Sequence, residues 1–260
     1  MSTPQIVRVG SRKSPLAMAQ SEEAVAKFSI HFPGHHFTIV PLTTSGDRDK
    51  EAPLLSLGRG TFSKDIENAL LRREIDIAVH SAKDLAPDLP EGLVLAGVLE
   101  RKDPRDVQVN RWGVTLKDLP IAARIGTGSP RRSAQLLALR PDLNVLPIRG
   151  NVGTRLEKSH GADYDGVVLA AAGLLRLGIQ VDTTQYLDLD SFTPETGQGT
   201  IAFQARRDDA RTLEMIATVD HGPSMASLMA ERTLINVIGG GCKVPVAAYA
   251  RVEGSHFRVS

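Results

Sequence analysis

The amino-acid sequence predicts an α/β protein built on doubly wound sheets, and three observations carry that expectation. Short apolar runs of strand length alternate with amphipathic stretches of helix length through most of the chain, as in strand–helix units that cover a mostly parallel sheet on both faces. The segments Gly10 to Gln20 and Gly126 to Gln135 share one motif: glycine, small polar residues, Ser-Pro, then a helical pattern with glutamine six residues after the serine. Two related halves follow from that repeat. Finally, 260 residues with 42% hydrophobic content are enough for two or three domains with sizeable cores.

In chain order, Ile6 to Gly10 alternates as a strand, and Ser14-Pro15 opens a helix to about Phe28, with serine as N-cap and proline at the first helical position. Phe37 to Leu42 is a second strand. Thr43 to Gly60 is a polar, glycine-bearing loop of a length usually kept for function. Phe62 to Arg73 reads as a helix, and Ile75 to Val79 as a buried strand ending at His80-Ser81-Ala82-Lys83-Asp84. Carboxyl ends of parallel strands are where open α/β sheets place ligands. Leu93 to Leu99 is another strand, and the charged, proline-broken run Glu100 to Asp106 suits a crossing between domains.

The second half repeats the alternation, with strands near Arg124 to Gly126, Val145 to Ile148 and Gly166 to Ala170. Its helices fall near Arg131 to Leu139, Val152 to Lys158 and Ala172 to Leu177. Past Gly197-Gln198-Gly199, a strand at Ile201 to Ala205 and a helix at Ala210 to Val219 return to the first sheet. Pro223 to Val237 is a helix ending in Gly239-Gly240-Gly241-Cys242, and a strand from Val244 to Val252 closes a small third domain. The expected domains are therefore 1–100 with 198–220, then 101–197, then 221–260.

The chain carries 31 basic and 30 acidic residues, a net charge of +1, and only 4% aromatics. That composition offers no basic face with interleaved rings for nucleic acid. Met1 to Arg12 has no apolar stretch of signal-peptide length and no later run is long enough to span a bilayer, so a cytoplasmic protein without a membrane partner is expected. Positive charge is concentrated locally: Arg124 to Arg155 holds six arginines against one acid, Asp142. They cluster at two turns, Gly126 to Arg132 and Arg149 to Arg155, each of which precedes a helix. Free backbone N–H groups at a helix start, with forked guanidinium donors beside them, suit carboxylate or phosphate. Two such domains facing each other would line a cleft for anions. The single cysteine, Cys242, excludes an internal disulfide and leaves either a buried small residue or a reactive thiol. His80, at a strand end, reads as a structural hydrogen-bond bridge.

Seven motifs in order resemble the hydroxymethylbilane synthase (porphobilinogen deaminase) family over nearly the whole chain. They are Gly10 to Ala17, His80 to Asp84, Asp103 to Asp106, Gly126 to Arg132, Arg149 to Arg155, Gly197 to Gly199, and Gly240-Gly241-Cys242. Departures from the pattern include Arg59 in place of a lysine, Pro130 in place of a leucine, Glu195-Thr196 before Gly197, and Ala86-Pro87. Family members also continue through more strand and helix after the cofactor turn, so a shortened third domain is expected. The resemblance implies two doubly wound domains like periplasmic binding proteins, a small α+β third domain carrying the cofactor cysteine, and a monomer.

It also implies a transferase that condenses four porphobilinogen molecules into linear hydroxymethylbilane and releases ammonia at each addition. The primer is a dipyrromethane cofactor joined through a thioether to Cys242, with no metal or nucleotide. Loss of ammonia leaves an electron-poor azafulvene, which calls for a carboxylate to stabilise charge and move a proton; Asp84 matches the family's catalytic aspartate. The acetate and propionate arms of the growing oligopyrrole call for several fixed cations. By resemblance, Lys83, Ser129, Arg131, Arg132 and Arg155 hold cofactor carboxylates, with Ser81, Asp84, Thr127, Gly128 and Asn151 around them. Arg12, Ser14, Arg149, Arg176 and Gln198 act nearer the substrate and the elongating chain, and Phe62 could stack on a pyrrole.

Two other classes compete: a two-domain anion-binding protein without chemistry, and a phosphate or nucleotide enzyme. Asp84 and Cys242 argue against the first. The second lacks a Gly-x-x-x-x-Gly-Lys-Ser/Thr run, and Gly58-Arg59-Gly60 lacks the rest of a dinucleotide fingerprint.

Overall fold

The computed structural model describes residues 5–44, 63–86, 88–181, 184–239, 246–254 and 256–260. The described chain divides into two compact units: one of residues 1–101 with 200–229, the other of residues 102–199 with 230–260.

In the first unit, strand β1 (Gln5–Arg12) runs into helix α1 (Pro15–His31), capped as expected by Ser14, whose side chain accepts from the Ala17 N–H. Strand β2 (His35–Leu42) pairs parallel with β1, and helix α2 (Lys64–Leu71) leads to β3 (Ile77–Ser81), parallel to β1 on its other side. Strand β4 (Leu93–Val98) ends the unit's first segment.

The second unit opens with β5 (Asp106–Asn110), followed by β6 (Arg124–Gly126), helix α3 (Pro130–Leu139) and β7 (Asn144–Leu146). Helix α4 (Val152–Ser159), β8 (Gly166–Ala170), helix α5 (Ala171–Arg176) and β9 (Thr184–Tyr186) complete its main body. The chain then re-enters the first unit as β10 (Ile201–Arg206), followed by α6 (Ala210–Ala217) and by α7 (Gly222–Ile238), whose residues from Ala230 on belong to the second unit. A two-stranded hairpin, β11 (Ala250–Glu253) with β12 (His256–Val259), comes last.

The two sheets have the same plan. The first has strand order β2-β1-β3-β10-β4, the second β7-β6-β8-β5-β9. In each, three neighbours are parallel, and the fourth strand lies antiparallel to both of its neighbours. That fourth strand is supplied across the sequence each time: β10 arrives from beyond the second unit, and β5 follows directly on the first. The repeated Ser-Pro motif falls at equivalent places, after β1 and after β6, with Ser14 and Ser129 both N-capping the next helix. The expected doubly wound α/β class is the one found.

Both sheets are covered on both faces, which is why β3, β8 and β10 are largely apolar without alternation. One face of the first sheet packs Val7, Val9, Ile77 and Phe203 against Ala24, Phe28, Met215 and Ile216, while the other packs Ala78 and Leu93 against Ile66 and Leu70. In the second, Leu136 and Phe192 cover Ile125 and Val168, and Ile148 and Leu174 lie with Val107 and Leu169.

Two expectations need correction, and one short strand is unexpected. The run to Asp106 is not all crossing: Asp106 is already the first residue of a fully buried strand, and Asp-Val-Gln-Val-Asn alternates so that its polar face reads as solvent-facing although that face is buried too. Strand β9 is only three residues long and carries no readable period. The strand expected from Val244 to Val252 is confined to Ala250–Glu253, continued by one reciprocal backbone pair between Tyr249 and Ser260; residues 246–248 are not in a strand. The turns Gly58-Arg59-Gly60 and Gly240-Gly241-Cys242 lie outside the described residues. Among those described, no helix is long and apolar enough to cross a membrane.

Candidate active site

The first unit contributes the carboxyl ends of β1 and β3. Arg12 ends β1, and the short 3-10 turn Ala82–Asp84 follows β3 directly. The Arg12 guanidinium stands 3.8 Å from the Asp84 carboxylate, and both side chains keep partial access to solvent. Arg12 therefore holds Asp84 at an accessible strand end, where the carboxylate can meet a ligand. Ser81 is fixed from behind: the Gln20 amide nitrogen donates to its Oγ at 2.8 Å, and the same amide's oxygen lies 3.1 Å away. Lys83 is half-buried in the same turn. Ser14 spends its Oγ on the α1 cap, at 3.3 Å from the Ala17 nitrogen.

His80, one residue before Ser81, is buried, with Nε2 at 3.1 Å from Gln204 Oε1. Gln204 in turn donates to Glu67 at 3.3 Å. Burial pulls the imidazole down to about 4, opposed by the Gln204 hydrogen bond and aided by the Arg12 charge. The ring is neutral and donating, the bridging part expected of it.

The second unit contributes the helix starts after β6 and β7. Thr127, Gly128 and Ser129 form the turn into α3: the Ser129 N–H donates to Thr127 Oγ1 at 3.2 Å, and Ser129 Oγ accepts from the Arg132 N–H at 3.4 Å. Asn151 caps α4, accepting from the Thr154 N–H at 2.9 Å. Arg131 and Arg132, at the start of α3, turn inward. Arg131 Nη2 and Arg132 Nη2 each lie 2.6 Å from an oxygen of Asp106, which is wholly buried. Arg131 also donates to the Thr193 carbonyl at 2.5 Å and reaches Glu195 at 3.3 Å, while Arg132 donates to the Val168 carbonyl at 3.1 Å.

Gln198 lies under this pair, fully buried, and donates to the Pro104 carbonyl at 2.7 Å and to Asp106 at 2.9 Å. Gly197 and Gly199 beside it have φ of 72° and 92°, a region that glycine alone enters without strain. Burial pushes the Asp106 carboxyl up, but the Arg132 and Arg131 charges outweigh it and hold it below the ordinary carboxylate range. Arg176 donates to the Gly199 carbonyl at 3.0 Å, and the Arg149 carbonyl accepts from Lys158 at 3.1 Å.

Arg155, in α4, differs from these. Its Nε is buried and has no hydrogen-bond partner among the described residues. Burial, then the like charges of Arg132 and Arg149, pull its pKa down to about 10. A buried guanidinium beside two others, with an unused donor, is an arrangement that an incoming anion stabilises.

The structure thus brings Arg12, Ser81, Lys83 and Asp84 to one edge of the first sheet. It brings Thr127, Gly128, Ser129, Arg131, Arg132, Arg149, Asn151, Arg155, Arg176 and Gln198 to the second unit's helix starts and return turn. Phe62 and Cys242 lie outside the described residues. The sequence reading gave no part to Asp106, although Asp103-Pro104-Arg105-Asp106 stood among its motifs. A carboxylate inside a run of charged residues reads as solvated until the strand it begins is known to be buried.

A family model described as porphobilinogen deaminase, dipyromethane cofactor binding domain, matches residues 7–214. A second, porphobilinogen deaminase, C-terminal domain, matches residues 225–259. The chain is 43% identical over 255 residues to a porphobilinogen deaminase of Alkaliphilus metalliredigens (strain QYMF), covering 98% of this chain and 81% of that one. It is 48% identical over 246 residues to that of Desulforudis audaxviator (strain MP104C), covering 94% and 80%. A third, from Xanthomonas campestris pv. campestris (strain B100), is 45% identical over 249 residues, covering 95% and 82%.

Proposed function

The chain belongs to the porphobilinogen deaminase family, and from that premise we propose which of its residues carry the reaction. The enzyme is a transferase of tetrapyrrole biosynthesis that polymerises porphobilinogen into linear hydroxymethylbilane and uses a dipyrromethane cofactor. At each addition the aminomethyl C–N bond of one porphobilinogen breaks, ammonia leaves, and a C–C bond forms to the free α-carbon of the preceding pyrrole, which gives up its proton. The cofactor, when bound, supplies the first such α-carbon.

Asp84 is the catalytic carboxylate in this proposal: it stabilises positive charge developing at the pyrrole nitrogen and passes the proton that ammonia carries away. Arg12, 3.8 Å from it, orients that carboxylate and is near enough to meet a substrate carboxylate. Lys83 and Ser81 complete the first unit's set. In the second unit, Arg155, Arg149, Arg132 and Arg131 hold acetate and propionate arms, with Ser129, Thr127, Gly128 and Asn151 adding hydroxyl, amide and backbone donors. Arg176 serves the elongating chain; Gln198, fully buried, contributes from beneath Arg132. Cys242 is the attachment point and Phe62 a stacking surface, both carried over from the family motif. The observation that carries this reading is the buried Arg155 with its unused donor beside two further guanidiniums, because the donor set fits a polycarboxylate.

The domain assignment is part of the same proposal: a third domain over 221–260 that bears the cofactor, beside domains of 1–100 with 198–220 and of 101–197. So are a monomeric state, a cytoplasmic location, and the absence of nucleic-acid and membrane partners. Intact mass of the purified protein tests the reading. An adduct of two linked porphobilinogen-derived rings, lost in Cys242→Ser, is expected. An unmodified wild-type mass from a host that makes the cofactor overturns it.

A further inference from the structure

We propose that Asp106 is a positioning residue for the anion-holding arginines, acting through Arg132 and Arg131 and locked in place by Gln198. The inference rests on the cofactor reading above and deepens it. Two geometric facts support it. Asp106 is wholly buried, yet its carboxylate is ionised, with one oxygen at 2.6 Å from Arg131 Nη2 and the other at 2.6 Å from Arg132 Nη2 and 3.1 Å from Arg132 Nε. Buried paired charges of this kind fix orientation more than they add stability.

Gln198 ties the same Asp106 oxygen, at 2.9 Å, to the Pro104 carbonyl at 2.7 Å, and its own oxygen lies 3.4 Å from Arg132 Nη2. Both segments of chain that link the units are therefore hydrogen-bonded to the arginine pair: the outgoing one at Pro104 to Asp106 and the returning one at Gly197 to Gly199. The Lys102 N–H to Gly199 carbonyl bond, 3.1 Å, joins them directly.

Burial, then the charges of Arg132 and Arg149, depress the Arg155 pKa, and Asp106 is the carboxylate paired with Arg132. Without Asp106, Arg132 loses its carboxylate and keeps the Val168 carbonyl and Gln198, while Arg131 keeps Glu195 and the Thr193 carbonyl, so the pair is held by fewer contacts and receives carboxylates at less fixed points.

The test is to produce wild type, Asp106→Asn and Asp106→Glu in a host that makes the cofactor. Folded state by near-UV circular dichroism, cofactor occupancy by intact mass, and KM and kcat for porphobilinogen are then measured. Asp106→Asn is expected to fold but to carry the adduct on less than about a tenth of its molecules, and to raise KM at least tenfold in the loaded fraction, a span typical of lost outer-shell support. Asp106→Glu should recover part of the loading. Wild-type loading and KM in Asp106→Asn overturn the proposal.

If Asp106→Asn does not fold, Gln198→Leu decides. It removes the amide that locks Asp106 without leaving a charge unpaired, and it should fold and load several-fold less than wild type; equal loading overturns the proposal. An unloaded wild type would instead sink the cofactor reading itself, so the two failures are distinct.

Discussion

His80 shows how a single side chain couples burial to pH. Its ring is neutral, with a pKa near 4 against 6.5 when exposed, and its nearest polar neighbours are Gln204, Glu67 beyond it, and the Arg12 charge. Between those two values the unfolded chain takes up a proton that the folded chain refuses, so stability falls as pH drops from 6.5 toward 4. The full effect is about 3 kcal/mol. Urea unfolding at pH 7 and pH 4.5 should show His80→Gln losing about 2 to 3 kcal/mol less than wild type over that interval. Equal losses would take His80 out of the acid limb.

Asp84 makes a different prediction at the same scale. Asp84→Asn should keep fold and adduct while turnover drops by roughly two to four orders of magnitude, the span of a positioned acid–base group. Undiminished turnover would remove Asp84 from its role. Gln108 is a third case: it is fully buried on β5, and neither atom of its amide has a partner among the described residues. Gln108→Met should raise the thermal midpoint or leave it unchanged, since the amide's desolvation of about 1 to 3 kcal/mol disappears. A drop of several degrees would mean that the amide is satisfied in solution.

Among elements, β8 shows how closely the second sheet is built. A Cβ at Gly166 would stand 2.7 Å from the Val109 carbonyl oxygen, a backbone atom in the paired strand β5. Side-chain rotation cannot relieve that approach, so Gly166→Ala must separate the two strands, at a cost of about 1 to 3 kcal/mol. A thermal melt should show it, and an unchanged midpoint would mean that the ladder yields freely. The two Ser-Pro caps are a gentler test of the repeat. Ser14 accepts from the third residue of α1 and Ser129 from the third residue after it in α3, so either serine to alanine should cost about 1 kcal/mol.

Across the whole molecule, protection should follow the number of covering layers. Strand β3 is buried along four of its five residues and is paired on both sides. The β11–β12 hairpin stands as a sheet of two strands, with Val252, Phe257 and Val259 each more than two-fifths exposed. Two-stranded ribbons are marginal without a covered face, and elements with few buried contacts open first. Hydrogen exchange should therefore reach Ala250–Glu253 well before Ile77–Ser81; equal rates would show the hairpin to be as firmly held as the core.

What the sequence determined by itself is local and periodic. Strand and helix alternation gave the α/β class, Ser-Pro gave both helix starts, and the doubled motif marked two halves whose sheets prove to have one strand order. These depend on residues a few positions apart, so a single chain displays them. The ordered motifs likewise carry the family resemblance in the sequence alone. Tertiary structure decided the rest. Asp106 and Gln198 are 92 residues apart and become partners only when the two crossings run together, and β5 alternates apolar with polar residues yet buries both faces, so its polar face is known to be interior only from the fold. The unequal standing of the arginines, with Arg131 and Arg132 compensated and Arg155 holding an unused donor, depends on which carboxylate reaches which guanidinium. Composition counts charges, but burial and distance determine which of them remain available to a ligand.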